Sequence, residues 1–245
     1  MTNTGFNSVS VISTATQSVV ATIPVGISPA GLAITPDGMR AYVANAGSEN
    51  VSVINTDSGT VSTQIRVGAI PLTVALNPDG TSAYVANAGD NSVSVISTAN
   101  NTVKAVIRVA VNPVDVEITP NGASAYVADA GGQAVTVINT ATNTVATTLE
   151  VGALPVKIAI SPDSGSAYVA NAGGNSVSAI NTAANTVVAM VGVGSHPVDI
   201  VFGSNGRDVF VTNAGSNSVS VIDTSNNAVI ATVPVGTAPV NAASF

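Results

Sequence analysis

The chain has 245 residues, a net charge of −7, only 8% charged residues and no cysteine. Six dispersed Lys and Arg side chains cannot form the basic face that phosphate neutralisation needs, so a nucleic-acid partner is excluded. The lack of cysteine excludes thiol catalysis and thiolate metal sites, and the longest apolar run, about Val187 to Gly194, is far short of the roughly 20 residues of a spanning helix.

The chain opens on Met1-Thr2-Asn3-Thr4-Gly5, which has neither a basic n-region nor an apolar h-region. No signal peptide is therefore expected. The chain is expected to be cytoplasmic, or extracellular or cell-surface if a leader has been removed. From Tyr42 onward one phrase recurs: Tyr-Val-Ala-Asn-Ala-Gly at Tyr42, Tyr84 and Tyr168, with variants at Tyr126 (Tyr-Val-Ala-Asp-Ala-Gly) and Phe210 (Phe-Val-Thr-Asn-Ala-Gly). Each copy starts 42 residues after the last, and a fixed period of this length marks a repeat architecture.

One unit can be read from Pro71. Leu72 to Leu76 predicts a first strand, ended by Asn77-Pro78-Asp79-Gly80, a tight-turn signal because proline presets one torsion and glycine accepts the positive one. Ser82 to Asn87 predicts a second strand, ended by Ala88-Gly89. Ser92-Val93-Ser94-Val95-Ile96 alternates polar and apolar, the period of a half-buried third strand. Thr98 to Thr102 is a polar turn, and Val103 to Val109 predicts a fourth strand. No segment shows helical periodicity of useful length.

Four short strands in about 40–45 residues are the signature of a β-propeller blade. The expected fold is all-β: a single domain, a six-bladed β-propeller of four antiparallel strands per blade. The blades cover about 31–68, 73–110, 115–152, 157–194 and 199–236, and the sixth joins 1–26 to 237–245. In that last blade Pro239 to Phe245 is expected to supply the first strand, and only a segment equivalent to Pro36 through Tyr42 is missing.

The repeat resembles the YVTN family of β-propellers. The resemblance spans the chain through Tyr-Val-x-Asn, Ser-Val-Ser-Val-Ile-x-Thr, the Pro-Val-Gly of Pro24–Gly26 and Pro234–Gly236, and Pro-Asp-Gly. Similar proteins occur as archaeal and bacterial surface-layer or cell-surface proteins, often with seven blades, and related propellers include lactonases and lyases. The resemblance thus implies a cell-surface scaffold.

Because most positions repeat, a site should appear where the blades disagree. Two residues after the inner-strand proline the units carry Gly31, Thr73, Asp115, Lys157, Asp199 and Asn241. Two further on they carry Ala33, Ala75, Glu117, Ala159, Val201 and Ala243. Asp115, Glu117, Lys157 and Asp199 thus form the candidate ligand-binding set of a central channel, with Asn241 and the sole histidine, His196. Charges confined there need pairing or hydration, so the set reads either as an ion network or as a polar-ligand or cation site. His196 could act as a base oriented by Asp199, or be a solvated loop residue. A lone histidine makes no zinc site, and no metal, cofactor or catalytic residue is assigned.

The recurrent Asn3, Asn45, Asn87, Asp129, Asn171 and Asn213 are read as turn residues bonding backbone amides, and the four tyrosines as core. Phe6 reads as a loop-tip contact or as packing over the join of the termini. Asn50-Val51-Ser52 and Asn100-Asn101-Thr102 match glycosylation acceptors. The expected function is a non-catalytic monomeric scaffold presenting loops and channel mouth to a protein or glycan partner. The alternative is a lactonase-like hydrolase or lyase using the carboxylate and lysine cluster.

Overall fold

The computed structural model describes residues 1–243. Six antiparallel sheets follow one another in chain order, five of four strands and one of three, with no α-helix among the described residues. This is the all-β, six-bladed β-propeller fold. The chain divides into two compact units, Met1–Val116 and Glu117–Phe245.

The first unit begins with the three-stranded sheet β1 (Thr2–Asn3), β2 (Ser8–Ser13) and β3 (Ser18–Pro24). Next come β4 (Pro29–Ile34), β5 (Arg40–Asn45), β6 (Asn50–Asn55) and β7 (Thr60–Arg66). A third sheet holds β8 (Pro71–Leu76), β9 (Ser82–Asn87), β10 (Ser92–Ser97) and β11 (Thr102–Arg108). The division falls inside β12 (Pro113–Ile118), which leads the sheet of β13 (Ser124–Asp129), β14 (Ala134–Asn139) and β15 (Thr144–Glu150). The second unit continues with β16 (Pro155–Ile160), β17 (Ser166–Asn171), β18 (Ser176–Asn181) and β19 (Thr186–Gly192). It ends with β20 (Pro197–Phe202), β21 (Asp208–Asn213), β22 (Ser218–Asp223) and β23 (Ala228–Pro234).

Residues 239–243 lie in no strand, and the segment expected to complete the first sheet runs on into residues 244 and 245, outside the described ones. Phe6, which sequence alone placed at a tip or over a join, is 87% exposed in a short 3-10 turn.

The middle strands are buried on both faces, not the single face that polar–apolar alternation in the third strand suggests: all six residues of β9 and five of six in β10 are buried. Tyr42, Tyr84, Tyr126 and Tyr168 are all at most 2% exposed, and Val and Ile of the third strands share the core clusters of Tyr42 and Tyr168. The phenol hydroxyls also bond from one sheet to the next. Within the first unit Tyr42 donates to Asn101 Oδ1 at 2.6 Å; within the second, Tyr126 donates to Asn185 Oδ1 at 2.6 Å and Tyr168 to Asn227 Oδ1 at 2.5 Å. Each acceptor sits in a left-handed turn, φ 51 to 57°, a conformation asparagine tolerates well. Every third–fourth strand pair shifts register at one place, such as Val95/Ile96 or Ala179/Ile180. A bulge there twists the outer strand and blunts an edge open to aggregation.

The asparagine ladder corrects one expectation. Its side chains do not bond turn amides but reach across to the third strand. Asn87 Nδ2 donates to Ser92 and Ser94 Oγ (3.1 and 2.9 Å), and Asn213 Nδ2 to Ser218 and Ser220 Oγ (3.2 and 3.0 Å). The role remains structural, but the bonds cross strands because the Asn side chain faces the Ser row of its antiparallel partner. Asn50 is drawn into the same network as acceptor for Asn45 Nδ2, whereas Asn100 stays exposed in a turn.

Candidate functional site

Asp115 and Glu117 occupy alternate positions of β12, Lys157 lies on β16 and Asp199 on β20. Asp115 is 2% and Asp199 7% exposed; Glu117 and Lys157 are half-buried. Carboxylates this buried need hydrogen-bond donors, and none of the four residues is without a partner. One partner of Asp199 is the chain itself: the Ala242 backbone N–H donates to its Oδ2 at 2.7 Å. The structure thus joins Asp199 to the residue after Asn241, whose own side chain is exposed. Alanine at position 199 should cost about 1–3 kcal/mol through the orphaned amide, with Asp199→Asn retaining part of it; urea denaturation of both variants measures this.

In the first unit the equivalent positions Gly31 and Thr73 meet the inner strand of the next sheet. Thr73 Oγ1 donates to Val114 O at 2.6 Å, and a Cβ added at Gly31 would lie 2.6 Å from Leu72 O and 2.8 Å from Thr73 Cα. Among the described residues no group of three or more His, Asp or Glu is placed to hold a metal ion.

His196 precedes Pro197, the first residue of β20. It is exposed, its N–H donates to Asn175 Oδ1 at 2.9 Å, and its φ is 53°. It belongs to a different set, which reading the inner strands did not reveal. The residue before each inner-strand proline is left-handed: Ser28, Ile70, Asn112, Leu154, His196 and Ala238, with φ from 48 to 58°. All but Ser28 are exposed.

The Ala-Gly that closes the recurrent phrase holds these tips. Ala46 N and Gly47 N donate to Ser28 O and Ile27 O, both at 3.0 Å. Ala88 and Gly89 do the same to Ile70 and Ala69, Ala172 and Gly173 to Leu154 and Ala153, and Ala214 and Gly215 to His196 and Ser195. Asn7, Asn91, Asn175 and Asn217 add a side-chain acceptor to the amide of tips 28, 112, 196 and 238. Left-handed backbone is costly for a β-branched residue such as Ile70, yet it is held by two hydrogen bonds and 49% exposed. The signal was in the sequence as six unlike residues before six prolines.

No family model matches the chain, and no curated protein does. Solved structures do. A chain of Kuenenia stuttgartiensis hydrazine synthase is similar with a TM-score of 0.83 at 24% identity, covering 97% of this chain and 83% of that one. A functionally unknown protein from Desulfotomaculum acetoxidans DSM 771 is similar with a TM-score of 0.74 at 19% identity, covering 90% and 77%. These likenesses are of fold, and they place the chain among β-propeller proteins.

Proposed function

We propose that this protein is a non-catalytic scaffold of the YVTN-repeat kind, presenting its loop tips to a protein or glycan partner at a cell surface. One observation carries this reading: the tips differ while the Ala-Gly bonds that hold four of them repeat. The hydrogen bonds to the tip carbonyls recur at tips 28, 70, 154 and 196, yet the side chains they project are Ser, Ile, Leu and His. A rigid frame with a variable exposed residue suits recognition, because the contact residues are ordered before binding. The buried inner carboxylate Asp199, by contrast, is engaged by the backbone of residue 242. No helix is long and apolar enough to cross a membrane among the described residues.

A glycan array and a panel of purified surface proteins test the reading with three proteins: wild type, a tip variant (Ile70→Ser, Leu154→Ser, His196→Ala) and Lys157→Met. The tip variant is expected to lose at least about tenfold in affinity with an unchanged melting temperature, and Lys157→Met to bind as wild type. Turnover of a lactone or other ester substrate that Lys157→Met abolishes would overturn it in favour of the hydrolase or lyase reading.

A further inference from the structure

One sheet of the six builds the asparagine ladder with different chemistry. In its sister sheets the ladder residue is a neutral donor: Asn3, Asn45, Asn87, Asn171 and Asn213 each give Nδ2–H bonds to two acceptors on the third strand, at 2.8 to 3.3 Å. The fourth sheet in chain order carries Asp129 instead, fully buried at 0% exposure. Its third strand changes with it. Ala134 stands where Ser8, Ser92, Ser176 and Ser218 stand, and Thr136 where Ser10, Ser52, Ser94, Ser178 and Ser220 stand.

The geometry at Asp129 is that of a single shared oxygen. Thr136 N–H donates to Oδ2 at 3.0 Å, and Thr136 Oγ1 lies 2.7 Å from the same atom. The other carboxyl oxygen, Oδ1, is buried with no hydrogen-bond partner. A carboxylate would therefore be buried with one oxygen unsatisfied and no cation beside it. A carboxylic acid would bury no charge, and its O–H would take the place of the asparagine N–H, donating to the hydroxyl on β14.

We propose that Asp129 is carried as a neutral carboxylic acid in the folded protein, donating to Thr136 Oγ1, and that its ionisation loosens this one sheet. Of the strands beside β13, β12 carries Asp115 and Glu117, of the same sign, and β16 carries Lys157, and none of these charges is among the causes that set the Asp129 carboxyl. Strand β14 has no ionisable residue, nor has the turn from Ala130 to Gln133. Tyr126, on the same strand as Asp129, keeps its proton to about 12 because it is buried. Glu150, opposite Ala134 on β15, is exposed and of the same sign. Burial pushes the Asp129 carboxyl up to about 7, against the smaller opposing effect of Thr136 donating to the ionised form.

The sign follows from linkage. The unfolded chain gives up this proton near 3.8, while the folded protein keeps it to about 7. The stabilisation is whole below the lower value, falls as pH rises between the two, and is lost above the higher. Exposed turn carboxylates act oppositely. Asp37, Asp79, Asp163 and Asp223 are held below the ordinary value, chiefly by bonds from Thr35, Thr81, Ser161 and Ser225 respectively, and their contribution is lost as pH falls toward acid.

Two readouts test the proposal on the full chain. Carboxyl 13C chemical shifts of Asp-labelled protein, assigned by comparison with Asp129→Asn, are expected to show one carboxyl titrating above pH 6. Urea denaturation from pH 4 to 8 should show the folding equilibrium of wild type falling relative to Asp129→Asn by at least about tenfold across that range. Because the amide would have a spare N–H facing Ala134, the double variant Asp129→Asn/Ala134→Ser restores the acceptor and serves if the single variant folds poorly. An Asp129 carboxyl titrating below pH 5, or pH profiles that run parallel in wild type and variant, would overturn the proposal; should neither variant fold, the wild-type 13C titration decides it, with an outlying carboxyl above pH 6 in support and none against.

Discussion

Replacing Tyr168 by alanine is expected to destabilise the protein by about 3–5 kcal/mol, the range for a large buried side chain whose cavity cannot collapse. Tyr168 is 2% exposed and packs with Val177, Val191, Ile200, Phe202 and Val211 in one core cluster. Its ring meets Phe202 edge-on at a centroid distance of 5.5 Å and an interplanar angle of 85°, the favourable aromatic geometry. These neighbours sit on ladders of fixed register and cannot slide into the void. Its hydroxyl adds a separable part: Tyr168→Phe keeps the packing but leaves Asn227 Oδ1 without its donor, which should cost about 1–2 kcal/mol. Phe210, at the equivalent position, lacks that hydroxyl and is more exposed, so Phe210→Ala should cost less than Tyr168→Ala. Chemical denaturation of the three variants measures the order; equal losses would show that burial at this position does not govern stability.

The second large effect is expected at Gly31. A Cβ there would lie 2.6 Å from Leu72 O, 2.8 Å from Thr73 Cα and 3.2 Å from Val74 N. All three are backbone atoms of β8, so no side chain can turn aside, and β4 and β8 must separate. Overpacking of this kind costs about 1–3 kcal/mol when side chains can yield; here Gly31→Val should reach or exceed the upper end. Gly38→Ala is the comparison. It lies in open space at φ 72°, so its cost is one of backbone strain alone. Thermal and urea unfolding should rank Gly31→Val well below Gly38→Ala. The reverse order would mean that the inner strands are not in contact at Gly31.

How much of this was legible in the sequence depends on the range of the interaction. The strands read from Pro71 appear within a residue or so of their expected ends, because alternation, Pro-Asp-Gly and Ala-Gly are local signals. The six-bladed count followed from the period. The phenol bonds, by contrast, run between residues 59 apart, such as Tyr42 and Asn101, and no local pattern announces them. The Asn ladder was recognised as structural, but its partners lie five and seven residues on, across a turn, where only strand pairing shows the Ser row facing it.

For the candidate site, the inner charges could be counted from the repeat but not their partners. That Asp199 accepts a backbone amide 43 residues away is a fact of tertiary packing. The tips were missed for another reason. They differ in residue type, and what makes them a set is a shared left-handed φ, which propensity would not assign to Ile70 or Leu154.

On the function proposed above, inner side chains such as Asp199 serve the chain itself and recognition falls to the tips. Amide hydrogen exchange at Ala242, without any added ligand, tests this most directly. The N–H that donates to Asp199 Oδ2 should be protected in wild type and exchange at least about tenfold faster in Asp199→Ala. Exchange at Ala242 that is fast in wild type and unaltered by Asp199→Ala would contradict this and favour the polar-ligand reading of Asp199.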